Sequence, residues 1–276
     1  MALFAPMIAQ VTYNRTVARL PRKLEFALTW NESGHDKMSE RFSGKVALVA
    51  GGTGGLGRAV SLAFLREGAQ VAVTYLKQEE FDALKQAAGA DAARLSGYVT
   101  DVTDETAVSQ MVGKILTGHG RLDALVNAVG GYAGGKQLWD FDSRVLDQML
   151  ALNLSSGYAL SRAAVPVMLK QKHGAIVNIN AKAALDHPAG AAAYAASKAA
   201  ALALLNSLAA DLKGSGVRVN SVLPAIIDTE ANRKAMPKSD FALWPKPEDI
   251  ARVILFLCSD DARVIHGAAI PVYGDS

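Results

Sequence analysis

Cysteine is nearly absent from this 276-residue chain, with Cys258 the single one. One thiol excludes an internal disulfide framework and a cysteine-rich zinc site, and it points to a reducing, cytoplasmic compartment. Long apolar runs are missing too. The most apolar stretch, around residues 189–210, carries Lys198 and runs into Asp211. Nothing approaches the ~20 uncharged apolar residues that span a bilayer, so no membrane partner is expected. The five histidines, at 35, 119, 173, 187 and 266, have no metal-ligand spacing, and no metal site is expected. Neither a Gly-x-Ser-x-Gly elbow nor a Gly-Lys-Ser/Thr ending occurs, which removes the anchors of serine hydrolases and of phosphate-transferring P-loops.

A one-sided charge is missing from most of the chain. Residues 1–37 hold five Lys/Arg against three acids; taken from totals of 29 and 26, this leaves 24 against 23, a net of +1 for residues 38–276. That near-neutral body offers no basic stripe to a phosphate backbone, so no nucleic-acid partner is expected. With 50% apolar and 20% charged residues, the composition is that of a globular chain rather than a disordered one.

What is present divides unevenly. Residues 1–43 read as a peripheral N-terminal extension, acid-free up to Glu25; as an alternative, the basic start at 1–37 is an organellar targeting segment. From residue 44 to 276, short β-rich runs alternate with helical patterns. The expected strands are Val46–Ala50, Gln70–Tyr75, Leu95–Val99, Ala124–Asn127, Ala175–Asn180, Val217–Leu223 and Ala268–Val272. Leu56, Val60, Ala63 and Phe64 have helical spacing, as do Val108, Met111, Val112 and Ile115, and Ala189–Leu212 is a long Ala-rich helix pattern. The alternation predicts one α/β domain of Rossmann type: a doubly wound, parallel, seven-stranded sheet with helices on both faces.

Directly after the first expected strand comes Gly51-Gly52-Thr53-Gly54-Gly55-Leu56-Gly57, followed by a helical run. Five glycines in seven residues between a strand and a helix fit a turn that passes close to a pyrophosphate, with the helix N-terminus supplying free N–H groups.

The spacing Gly-x-x-x-Gly-x-Gly resembles the short-chain dehydrogenase/reductase family, and the match continues through almost all of residues 44–274. Asn127-Ala128-Val129-Gly130 is similar to the family's Asn-Ala-Gly motif with one residue inserted. Asp101-Val102 resembles the pair bordering the adenine ring, and Asn153 the helix Asn of the catalytic group. Tyr194-x-x-x-Lys198 matches the active-site motif; Pro224, Ile227 and Thr229 match the segment that contacts the nicotinamide carboxamide. The resemblance implies a nicotinamide cofactor held by Gly51, Thr53, Gly55, Leu56, Gly57, Asp101, Val102, Asn127, Lys198, Pro224, Ile227 and Thr229. The second strand ends Thr74-Tyr75-Leu76-Lys77, with no acid before Glu79. That favours NADP(H), with Lys77 as a 2′-phosphate partner, over NAD(H).

Tyr194 and Lys198 lie four apart and share a helix face. The neighbouring ammonium is expected to lower the phenol by roughly three units for work at neutral pH, about 4 kcal/mol of environment. By the resemblance, Lys198 also bonds the nicotinamide ribose and Asn153 positions a relay water. Ser197 reads as packing, and Cys258 as a buried apolar residue.

The family's catalytic Ser sits thirteen positions before the Tyr, and here that position is Ala181. Ala cannot polarise a carbonyl. Either Asn180 or Lys182 replaces the missing hydroxyl, or the acceptor does not need it. The segments 181–186 and 129–135, with Tyr132, and the run 223–244 resemble the dihydropteridine reductase branch. They imply a pterin-like, quinonoid or conjugated imine acceptor, with Tyr132, Asn180, Ala181, Lys182, His187 and Trp244 at the substrate. The alternatives are a ketone or 3-oxoacyl-thioester reductase and, as a different class, a nucleotide-binding sensor without catalysis. Family resemblance further implies a homodimer or homotetramer through helices around 143–170 and 189–212.

Overall fold

The computed structural model describes residues 40–276. The targeting alternative and most of the 1–43 extension lie outside these residues. Within them, packing begins before residue 44: Phe42 is buried, stands edge-on to Phe64 at 4.8 Å and donates its N–H to Glu67 O. Its ring belongs to the same buried cluster as Phe64 and Leu65.

The elements run β1 (Val46–Ala50), α1 (Gly55–Arg66), β2 (Gln70–Tyr75), α2 (Gln78–Ala88), β3 (Leu95–Val99), α3 (Glu105–His119) and β4 (Ala124–Asn127). They continue with α4 (Ser143–Leu150), α5 (Ser156–Gln171), β5 (Gly174–Ile179), α6 (Ala183–Asp186) and α7 (Ala192–Asp211). The chain closes with β6 (Val217–Pro224), α8 (Glu230–Ala235), α9 (Pro247–Cys258) and β7 (Ala269–Val272). Every strand falls within a residue of its expected bounds. The expected helix at Ala189 starts only at Ala192, because Gly190 takes a left-handed φ of 74° just before it. A π turn at Ala151–Ser155 separates α4 from α5.

All strand pairs are parallel, in the order β3-β2-β1-β4-β5-β6-β7. β1 shows why such strands read as unbroken apolar runs: all five residues are buried, and alternate side chains serve different cores. Ala47 and Val49 join Val60, Phe64, Ile250 and Ile254 of α1 and α9. Val46, Leu48 and Ala50 join Ile115, Leu160 and Leu205 of α3, α5 and α7. The order reverses between β1 and β4. At such a switch point the loops leaving the strand ends part and open a crevice, and both the glycine turn and Asn127 stand there. No helix among the described residues is long and apolar enough to cross a membrane.

Candidate active site

On the cofactor side, α1 begins with neither a side-chain cap nor an acid in its first turn. Its leading N–H groups are thus left to an anion, with the positive end of the helix dipole behind them. The turn is tight: a Cβ on Gly57 would stand 2.1 Å from Gly51 O, so no other residue fits there. Gly51 N–H bonds Thr74 Oγ1 at 2.8 Å, tying the turn to β2, and Leu56 is buried beneath it. The Thr229 methyl lies against Gly55, which brings the segment after β6 to the glycine turn. These features fit a dinucleotide pyrophosphate.

The other expected cofactor residues divide by role. Asp101 accepts from both the N–H and the hydroxyl of Thr103, and these bonds hold its carboxyl below the ordinary range. Val102 is buried in the core under α3 and α5, and Ile227 packs on the core under α1 and α9. Asn127 donates to Asn178 Oδ1 at 3.0 Å and accepts from Val129 N–H, bracing the ends of β4 and β5. Pro224 ends β6 and accepts Lys182 N–H; Thr229 caps α8.

Lys77 is 65% exposed and lies 3.4 Å from Glu80 Oε1. Glu80 also accepts the Thr53 hydroxyl at 3.1 Å, inside the glycine turn. Glu80 escaped the sequence reading because it follows the strand end. The signal available was its position three residues after Lys77, one helical turn along α2.

On the reacting side, Lys198 is almost wholly buried and donates from Nζ to Ile179 O at 3.0 Å. Burial disfavours its cation and lowers it from 10.5 to about 8. Tyr194 is not lowered as expected. Burial pushes the phenol up to about 12, and the second phenol of Tyr132 adds to the rise. The reason is physical: loss of water penalises a phenolate more than an ammonium turned to a strand carbonyl can offset. Tyr194 is therefore a held proton at neutral pH, which suits an acid.

Asn153, in the π turn, clamps the loop after β4. Its Nδ2 donates to Gly131 O at 3.0 Å and to Ser197 Oγ at 2.9 Å, while its Oδ1 accepts Gly131 N–H at 3.0 Å. Both amide hydrogens are thus in use. Ser197 is fully buried, and its hydroxyl donates to Tyr194 O at 2.8 Å. Beyond filling space, it joins Asn153 to the α7 helix. The Gly130 backbone lies against both Asn153 Oδ1 and Lys198 Nζ.

The substrate residues are scattered more widely. Tyr132 meets Tyr194 edge-to-face, centroids 4.9 Å apart. Ala181 is buried, its N–H taken by Asn180 Oδ1 at 2.9 Å, and Asn180 Nδ2 is buried with no partner among the described residues. Lys182 reaches toward the chain end, 3.4 Å from Ser276 O and 4.9 Å from the Tyr273 ring centre. His187 is exposed in a left-handed turn. Trp244 is 7% exposed and packed on Phe241.

Comparison with known proteins gives this arrangement its relatives. The 3-oxoacyl-(acyl-carrier-protein) reductase of Thermotoga maritima is 33% identical over 85% of this chain and 98% of its own length. The D-threitol dehydrogenase of Mycolicibacterium smegmatis is 35% identical over 85% and 93%. Among solved structures, ElxO with NADP bound superposes with a TM-score of 0.79 at 29% identity, covering 83% of this chain and 97% of that one. NAD+-bound xylitol dehydrogenase gives 0.78 at 27%, covering 84% and 99%. These relatives do not carry the dihydropteridine reductase branch expected from the substrate segments. Residues 45–240 match the short chain dehydrogenase model, and the chain belongs to that family of oxidoreductases.

Proposed function

We propose that the protein is an NAD(P)H-dependent carbonyl reductase, taking a ketone or a 3-oxoacyl thioester to the secondary alcohol. The observation that carries this reading is the partly buried Tyr194 phenol, held protonated one helical turn from the buried Lys198. The names of the relatives, reductases and dehydrogenases of carbonyl–alcohol pairs, support it.

A bound reduced nicotinamide would supply hydride to the carbonyl carbon. Tyr194 gives its proton to the carbonyl oxygen as charge develops there; an alkoxide is far more basic than a phenolate, so even a raised phenol can deliver it. Lys198 holds positive charge behind that oxygen, and its ammonium stands ready to return a proton to Tyr194. Asn153 and Ser197 keep the loop after β4 and the α7 helix in register. The residues for the dinucleotide are the glycine turn 51–57, Asp101, Asn127 and Thr229. NADP(H) preference through Lys77 is modest, because Glu80 already neutralises that ammonium.

The pterin-like or quinonoid acceptor is kept as a second reading on one observation, Ala181 in place of the carbonyl-polarising Ser. A panel of ketones, a 3-oxoacyl thioester and quinonoid dihydropterin, run with both nucleotides, separates the two. Turnover of carbonyl substrates supports the first reading; turnover confined to dihydropterin overturns it. The sensor alternative is disfavoured by the retention of Tyr194, Lys198 and Asn153, with Ser197 bonding both Asn153 and the Tyr194 carbonyl. A homodimer or homotetramer would use the largely apolar groove between α5 and α7, lined by Tyr158, Val165, Pro166, Leu204 and Leu208. A cytoplasmic setting rests on the single, buried thiol.

A further inference from the structure

Carbonyl reduction leaves a deficit at this site. As hydride arrives, the oxygen gains charge, and a single donor is a thin cradle for it; each donor of this kind is worth about 10²–10³ in rate. Ala181 presents a methyl group, and its N–H is already used by Asn180 Oδ1. Lys182 is engaged with Ser276 O, with Asp186 at 3.9 Å and with the Tyr273 ring. Asn180 has a spare donor in Nδ2, but that atom is sealed from solvent, where no substrate arriving through the crevice can touch it.

Tyr132 has none of these faults. We propose that the Tyr132 hydroxyl is a catalytic residue, donating a hydrogen bond to the substrate carbonyl oxygen in place of the serine that Ala181 does not supply. The proposal rests on the carbonyl-reductase reading and assigns the second donor within it. Tyr132 is 69% exposed and so open to substrate, yet its ring touches Tyr194, with the planes at 72°.

Its loop is held at both ends. Asn153 clamps Gly131 through both the N–H and the carbonyl, and Gly135 N–H bonds Gly190 O at 2.9 Å, just ahead of the helix that carries Tyr194. The hydroxyl itself is seated over Gly134, where a Cβ would lie 2.2 Å from it and 3.2 Å from Gly190 O. Such a donor is placed before substrate arrives, the condition under which an oxyanion site works.

The atoms balance. The carbonyl π bond breaks; a bound reduced nicotinamide would supply hydride for the new C–H bond by giving up one of its own C–H bonds with the electron pair and ending oxidised; and the Tyr194 O–H bond breaks as its proton forms the alcohol O–H, leaving a phenolate for Lys198 to reprotonate. Tyr132 keeps its own proton and only shares it. Two phenolates side by side would repel, which also explains why Tyr132 helps to keep Tyr194 protonated.

The test uses the full chain and a carbonyl substrate that the wild type reduces. Tyr132→Phe should lower kcat by about 10²-fold, with the KM for nucleotide unmoved. Gly134→Ala, which displaces the hydroxyl while keeping the phenol, should lower kcat by about tenfold. Adding Ala181→Ser to Tyr132→Phe should recover about tenfold more than the same change gives in the wild type. In the free protein, Tyr132→Phe should shift the Tyr194 phenol titration downward from about 12, a readout independent of turnover. An active wild type whose Tyr132→Phe variant keeps kcat within about twofold overturns this proposal alone. A wild type inert toward every carbonyl substrate overturns the underlying reading and this proposal together.

Discussion

The two ends of the crevice solve opposite problems with opposite materials. At the cofactor end the working groups are backbone N–H groups of an uncapped helix, and the side chains are mostly hydrogen atoms of glycine. At the reacting end the working groups are long side chains: Tyr194, partly buried, and Lys198 and Asn153, buried and held by Ile179 O and Ser197 Oγ. Binding a doubly charged pyrophosphate needs close approach and many weak dipoles; moving one proton needs one group whose affinity is set by burial. Damage to the first end should therefore appear in nucleotide binding, and damage to the second in kcat.

The sharpest way to break that contrast is Tyr194→Phe. It should cost about 10²–10⁴-fold in kcat while nucleotide binding, measured by fluorescence titration, stays near wild type. Equal losses in both would show that the ends are not separable. Next in size is Gly57→Ala, whose new Cβ would meet Gly51 O at 2.1 Å. Strain of about 1–3 kcal/mol should weaken nucleotide affinity by roughly 5–150-fold, with kcat at saturating nucleotide much less affected.

Titration comes third. Lys198 is lowered from 10.5 to about 8, so its cation is present below that pH and lost above it. Reduction, followed as kcat/KM, should be flat up to about pH 8 and then fall about tenfold per unit. Stability carries the opposite sign. Between about 8 and 10.5 the unfolded chain holds more protons than the folded one, so resistance to denaturant should rise with pH across that window as far as this group decides it.

The smallest effect belongs to the cofactor end. Glu80→Gln frees Lys77 and should move the preference toward NADPH over NADH by about twofold to fivefold, the scale of an exposed ion pair. No change in the ratio of the two kcat/KM values would remove Lys77 from the phosphate site.

Several parts of the molecule were legible in advance because they are local. The strand bounds follow from unbroken apolar runs such as Val46–Ala50, the signature of a sheet covered on both faces. The glycine turn announces itself because only glycine passes Gly51 O at the Gly57 position. The Tyr194–Lys198 pair shares a helix face by its spacing, and it stands out because the glycine turn and the family's motif order accompany it. Three features were hidden because each joins residues far apart in the chain. Glu80 reaches back to Thr53, Ser197 meets Asn153, and Tyr132 meets Tyr194. Trp244 was open in the sequence between lining the substrate and packing its loop, and only the fold shows its ring against Phe241.

By itself the sequence determined the alternation of strands and helices, the tight turn before α1 and the pairing of a phenol with an ammonium one turn apart. Each depends on neighbours within a few positions, where backbone sterics and helical periodicity act directly. The tertiary structure alone decided which of those groups lost its water. Desolvation depends on everything packed around a side chain, and it raised Tyr194 where the local ammonium would have lowered it.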